Sequence, residues 1–194
     1  MTSRREFLQA GISATALPLA SRAARAAELP AVERVHPYKV VYDGRFPDSI
    51  AFARRAETIG LSVHAIKGDV TRFWYDDLYY RWKKGPAAIA GLTGHGALFC
   101  LEHLARDQRM RVVFRAVHTF VSGSVEHELT GPPAMVRDAM ALDARATRWG
   151  SCLADVIARC PSGRTEITHV RARSGVGADE AAADDGALYS WVIA

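Results

Sequence analysis

From Tyr38 onward, short apolar runs alternate with stretches whose apolar residues recur at helical spacing. "YKVVYDG" (38–44) is rich in β-branched residues and predicts a strand. "PDSIAFARRAETIG" (47–60) predicts a helix capped by Asp48 or Ser49 and stopped at Gly60, with Ile50, Ala53, Ala56 and Ile59 on one face. "LSVHAIKG" (61–68) predicts a second strand. "DVTRFWYDDLYYRWKKG" (69–85) predicts a helix opening on Asp69, with Val70, Trp74, Leu78 and Trp82 in line and Pro86 barring its continuation. "AAIAGL" predicts a third strand, and "HGALFCLEHLARDQ" (95–108) a helix that buries Leu98, Leu101 and Ala105. "RVVFRAVHTF" (111–120) predicts a fourth strand.

The last third is less regular. "HTFVSGSVEHELTGPP" (118–133) reads as loop. Met135, Ala139, Leu142, Ala146, Trp149, Leu153 and Val156 then describe one long helix, or two separated near Gly150. "TEITHVRAR" (165–173) and "ALYSWVIA" (187–194) predict closing strands around a loop holding Asp179, Glu180, Asp184 and Asp185. Those acids lack the order of a calcium loop.

Strand–helix alternation with near-continuous apolar strands predicts a single α/β domain over 38–194. Its expected build is a three-layer, Rossmann-like or flavodoxin-like one with a mostly parallel sheet and right-handed crossovers. Residues 27–37 read as a linker.

Charge changes the picture only at the front. The chain has 194 residues and a formal charge of +4, with 25 basic and 21 acidic side chains. Residues 1–27 hold Arg4, Arg5, Arg22 and Arg25 against Glu6, leaving 21 basic and 20 acidic groups beyond. A near-neutral domain gives no ground for nucleic-acid binding. The front segment has an arginine pair, a mildly apolar run from Phe7 to Ala20, too short to span a bilayer and interrupted by Pro18, and a small-residue site at Ala24-Arg25-Ala26. Ser3-Arg4-Arg5-Glu6-Phe7-Leu8 resembles the twin-arginine (Tat) export motif position by position. The resemblance implies a signal peptide over 1–26, passage through the Tat translocase after folding, a periplasmic destination and no stable membrane anchor after cleavage. It also implies company: a cofactor loaded beforehand, or a partner protein.

An oxidising compartment permits disulfides; Cys152 and Cys160 on one helix would stand about 12 Å apart, too far to bridge, unless a turn after Ile157 brings them together. Cys100, among apolar residues, is expected to be buried, and without a C-x-x-C there is no case for zinc or thioredoxin chemistry.

Candidate chemistry gathers where an open sheet would place it, at the carboxyl ends of the first and third strands. Asp43 and Arg45 follow the first; Thr93, Gly94, His95 and Gly96 follow the third. The glycines do not keep the dinucleotide order G-x-G-x-x-G, and no Lys-Ser/Thr pair follows for a triphosphate loop. An anion held by backbone N–H groups at a helix start is the remaining ligand reading, against a plain turn in which Thr93 caps the helix. His95 or His118 are candidate general bases with Asp43 as partner. Asp69 is expected to cap its helix, and His64 to be buried in its strand. His103, His127 and His169 show no paired spacing, so no metal is assigned. On the aromatic helix, Tyr75 and Tyr79 are the expected exposed residues, a docking surface for a periplasmic partner or a second copy. The expected function is a small-ligand-binding or accessory partner of a Tat-exported redox system. The alternatives are a small enzyme acting on an anionic substrate and, third, a carrier of a flavin-like ring.

Overall fold

The computed structural model describes residues 33–121, 124–141, 149–163, 165–175 and 186–194. In chain order the elements are β1 (Lys39–Asp43), α1 (Pro47–Thr58), β2 (Val63–Ile66), α2 (Thr71–Phe73), a wide π-helical turn (Trp74–Leu78), α3 (Tyr79–Lys83), β3 (Ile89–Thr93) and α4 (His95–Asp107). They continue with β4 (Val112–Val121), β5 (Ser124–Gly131), α5 (Pro133–Ala141), α6 (Trp149–Ile157), β6 (Thr168–Gly175) and β7 (Ala187–Ile193). The chain is α/β, with helices on both faces of one seven-stranded sheet ordered β2-β1-β3-β7-β4-β5-β6. No helix among the described residues is long and apolar enough to cross a membrane.

The expectation of a mostly parallel sheet holds only at one side. β1 pairs in parallel with β2 and β3, whereas β3–β7, β7–β4, β4–β5 and β5–β6 are antiparallel. β7 closes nothing: it enters between β3 and β4, the central position. Its sequence suits that place, because six of the seven residues of "ALYSWVI" are buried and only Tyr189 is half-exposed. Long-range pairing of this kind leaves no mark in local periodicity.

The stretch expected as loop is a hairpin. Val125, His127, Leu129 and Gly131 of β5 face α5 and α6, while Glu126, Glu128 and Thr130 face the other way. The alternation was disguised because a histidine and a glycine stand at inward positions. Of the two expected forms of the C-terminal helix, the described residues hold two helices, the second beginning beside Gly150. That glycine lies in the first turn of α6, and residues 142–148 lie outside the described set.

Two apolar layers flank the sheet. On one side Val40, Leu92, Phe114, Leu129 and Val192 meet Phe52 of α1, Met135 of α5 and Leu153 of α6. On the other, Val41, Ile89, Trp191 and Ile193 meet Phe73, Leu78, Trp82 and the α4 face of Ala97, Leu98, Leu101 and Ala105. A fully buried side chain such as Phe52 contributes about 2 kcal/mol by removal from water. The wide turn in the aromatic helix has a packing reason: Phe73 and Leu78 are five residues apart, yet both are buried, with Trp82 one ordinary turn further. Trp74, expected in that line, is pushed to half-exposure.

Helix ends follow local chemistry, with two corrections. Neither Asp48 nor Ser49 caps α1; its N-cap is Phe46, without a side-chain bond, and Pro47 opens the helix. Ser49 is buried and used elsewhere, so the inner face is Ser49, Phe52, Ala53 and Ala56, rotated from the expected one. Gly60 N–H to Glu57 O and Leu61 N–H to Ala56 O, both 2.9 Å, close the end as a Schellman motif. Nor is Asp69 the cap of its helix: the N-cap is Val70, without a side-chain bond, and Asp69, one residue earlier, accepts from the Thr71 N–H at 2.8 Å in a turn that leads into the helix.

Helices α1 and α6 lie side by side and run in the same direction. Ser151 bonds the Ala51 carbonyl, and Arg55 grips Asp155 with two nitrogens, the shortest contact 2.8 Å. The second half of the expected linker is tied down as well: Val35 N–H donates to Cys160 O, and Ser162 N–H to Glu33 O. Cys100 is exposed rather than buried, because it falls off the inner face of α4; Cys152 and Cys160 are free thiols. The signal segment 1–26 and the acids Asp179, Glu180, Asp184 and Asp185 lie outside the described residues.

The α1–α6 contact sets a test. A Cβ on Gly150 would stand 2.2 Å from the Asp48 carbonyl oxygen, which is backbone and cannot swing away. Gly150→Ala is expected to cost about 2–3 kcal/mol, read as a lower urea midpoint with unchanged slope. Gly96→Ala, whose methyl meets nothing within 4 Å, leaves the midpoint unchanged or slightly higher.

Candidate functional site

The carboxyl ends of β1 and β3 do meet along one rim. Tyr42 pairs with Leu92, so the next residues, Asp43 and Thr93, leave the sheet side by side. Ser49, one turn into α1, stitches the two strands together: its Oγ accepts the Asp43 N–H at 2.9 Å and donates to the Leu92 carbonyl at 2.6 Å.

Asp43 is wholly buried, and a buried carboxylate needs partners. Arg45 supplies them, with Nε 3.0 Å from Oδ1 and Nη2 2.8 Å from Oδ2; the Arg45 backbone N–H adds a bond to Oδ1 at 3.1 Å. This forked pairing fixes the guanidinium, whose side chain keeps 37% of its surface exposed. The same group lies against Gly68, beyond β2, and close to Gly94, whose added Cβ would stand 4.0 Å from Nη2. Arg45 therefore spans the mouth of the rim from the β2 side to the start of α4.

Thr93 does not cap α4. Its hydroxyl accepts the Trp191 indole N–H at 3.1 Å and donates to the Gly94 carbonyl, and it is fully buried. The N-cap of α4 is Gly94, with no side-chain cap and no acid in the first turn. The indole of Trp191 reaches Thr93 by crossing its register partner Gly91, where a Cβ would meet the ring at 2.5 Å. Of the six predicted ligand residues, Arg45, Gly94, His95 and Gly96 thus reach solvent, while Asp43 and Thr93 are buried supports. His95 is exposed on the first turn, its ring centroid 5.2 Å from Tyr189.

His118 is level with the rim but on the opposite face. Val117, its neighbour, pairs with Tyr189, which pairs with Thr93. His118 is 1% exposed and belongs to a chain of side chains across four strands. Its Nε2 is 2.9 Å from Ser190 Oγ of β7, its Nδ1 2.6 Å from Nδ1 of His127, and His127 Nε2 is 2.8 Å from Ser174 Oγ of β6. Trp149 lies over the pair, its ring centroid 4.4 Å from that of His118. Burial, reinforced by the neighbouring His127, holds the His118 pKa well below the ordinary histidine value of 6.5. No hydrogen bond joins Asp43 to His95 or His118 among the described residues.

The other expected histidines spread out. His64 packs on Phe73 at 4.6 Å, and partial burial lowers its pKa. His103 stacks on Phe99, and His169 pairs with Glu128. Among the described residues no group of three or more His, Cys, Asp and Glu is placed to hold a metal ion. Tyr75 and Tyr79 are exposed as expected, and Tyr80, at 60%, is more exposed than Tyr79. Sequence reading missed Ser49 as a stitch, Trp191 as the partner of Thr93, and the pairing of His118 with His127. The last was detectable only as a break in the Val125–Leu129 alternation.

No family model, no curated protein and no solved structure matches the chain.

The stitch can be tested directly. Ser49→Ala leaves a buried N–H and a buried carbonyl without their partner. It is expected to lower unfolding free energy by about 2–4 kcal/mol in urea titration.

Proposed function

We propose that this rim binds a small anion, a phosphate- or carboxylate-bearing molecule, and that the protein acts as an exported ligand-binding accessory to a redox system. One observation carries the reading: a guanidinium locked in place by a buried carboxylate, facing a helix start that no side chain caps. Free N–H groups at the positive end of a 13-residue helix favour negative charge, and Arg45 adds a fixed donor beside them. The order β2-β1-β3 also supports it. Those three strands are parallel, and in doubly wound sheets of such an order ligands settle where the strand order reverses. The accessory role rests on the twin-arginine resemblance at Arg4 and Arg5 and on the exposed Tyr75, Tyr79 and Tyr80, which offer a periplasmic partner or a second copy an aromatic surface.

The second reading, a small enzyme acting on an anionic substrate, retains His95 as its base. The exposed His95 ring beside the uncapped terminus favours it. Asp43 cannot serve as its proton partner while both carboxylate oxygens are held by Arg45.

Calorimetric titration with inorganic phosphate and with succinate at low salt tests the anion site. Binding that weakens as salt rises, and that drops at least about tenfold in Asp43→Asn/Arg45→Gln, is the expected result. The double change removes both charges together and leaves no buried ion without a partner. Silence from both anions at low salt removes the reading. Mild cross-linking of the mature protein in its native extract, with Tyr75→Ser/Tyr80→Ser as comparison, tests the docking surface.

A further inference from the structure

Strand register alone assembles the histidine chain. His118 of β4 and His127 of β5 are direct cross-strand partners on the face that α5 and α6 cover. Val125 pairs with Ser174 and His127 with Ala172, so Ser174 is the diagonal neighbour of His127. Ser190 stands in the same relation to His118, because His118 pairs with Leu188 and Ala116 with Ser190. Four polar side chains are thus fixed on one rigid surface.

The two ends of the chain differ. Ser190 is fully buried, whereas Ser174 lines the cavity beneath Trp149 with the apolar Leu129, Ala139 and Leu153. From that end the bonds run in one sense. The Ser174 hydroxyl donates to His127 Nε2 at 2.8 Å, His127 Nδ1–H donates to His118 Nδ1 at 2.6 Å, and His118 Nε2–H donates to Ser190 Oγ at 2.9 Å. A hydroxyl set on a base whose far nitrogen is held by a third group is the arrangement that activates a nucleophile. The pair also takes up the hydroxyl proton without rearrangement, since His127 Nε2 receives it while the bond between the two Nδ1 atoms stays as it is.

We propose that Ser174, His127 and His118 form a hydrolytic triad that cleaves esters of very short carboxylic acids, with Ser174 as nucleophile, His127 as general base and His118 as positioning residue. The site lies on the opposite face of the sheet from the Arg45 rim, and neither reading depends on the other. The cavity sets the substrate. It opens to solvent, and its free space of about 20 Å³ takes little more than one water-sized group, so the acyl part is acetyl or formyl and the leaving alcohol stays outside. Trp149 lines the same cavity, and its buried indole N–H has no acceptor among the described residues, which makes it the donor at hand for an oxyanion. Burial keeps His118 uncharged, and a neutral acceptor supports a His127 cation less than a carboxylate does, so turnover is slow.

The steps balance with water as the only co-reactant. Ser174 Oγ adds to the carbonyl carbon while its proton passes to His127 Nε2. The adduct collapses, the bond to the leaving oxygen breaks, and that oxygen takes the proton and departs as an alcohol. Water then adds to the acyl-serine carbon and gives a proton to His127. The bond to Ser174 Oγ breaks, Oγ regains the proton, and the short acid is released.

Para-nitrophenyl acetate on the full chain tests this, with acid quenching and peptide mass spectrometry. Expected is an acetyl group on the peptide that holds Ser174, and nitrophenol release at least about a hundredfold slower in Ser174→Ala and in His127→Gln. Para-nitrophenyl butyrate is expected to turn over at least about tenfold more slowly than the acetate. His118→Leu lowers kcat at unchanged KM, and His118→Asn, whose amide oxygen accepts the same N–H, recovers part of the loss, which a merely structural role does not predict. If the His118 variants fail to fold, the wild type and Ser174→Ala decide. Three results overturn the proposal: cleavage by the wild type no faster than by Ser174→Ala, acetyl groups found elsewhere in place of Ser174, or butyrate cleaved as fast as acetate.

Discussion

The strand β7 holds this molecule together in an unusual sense, because each of its central residues serves a different neighbour. Ser190 faces one side and bonds His118; Trp191 faces the other, crosses Gly91 and bonds Thr93; Tyr189 packs beside His95. An apolar strand hydrogen-bonded on both edges and covered on both faces leaves those three side chains little freedom. The rim and the histidine chain are therefore built on one common support, although they open to opposite faces of the sheet.

The two buried polar groups are accommodated by contrasting means. Asp43 is paired with a guanidinium that touches it through a fork, so a fully buried carboxylate retains partners for both oxygens. His118 has no counter-charge and is accommodated by neutrality and by two hydrogen bonds. The first arrangement gives a rigid, partly exposed positive group at the surface. The second keeps an uncharged polar chain in the interior.

Much of the first half was legible in the sequence because its elements are locally determined. Gly60 with Leu61 ends α1, and the β1, β3 and α4 segments stand where apolar period and turn residues place them. The rim was legible for the same reason, since strand ends in a β-α-β run fall together. What was hidden depends on distant partners. Nothing near residues 187–193 says that this strand inserts between β3 and β4, and His127 looked like a loop residue until its opposite neighbour was known. Ser49 was read as a cap because helix-start serines usually are; burial against Leu92 gave it another use.

The parallel run of α1 and α6 has an electrostatic consequence for the molecule as a whole. Gly150 at Asp48 places the starts of both helices at the end where β1 and β3 finish, and α4 begins there too. Three peptide macrodipoles thus point their positive poles the same way. Unbonded backbone N–H groups of three helix starts therefore collect at the end of the sheet where the rim lies, and none of those groups can be removed by changing a side chain.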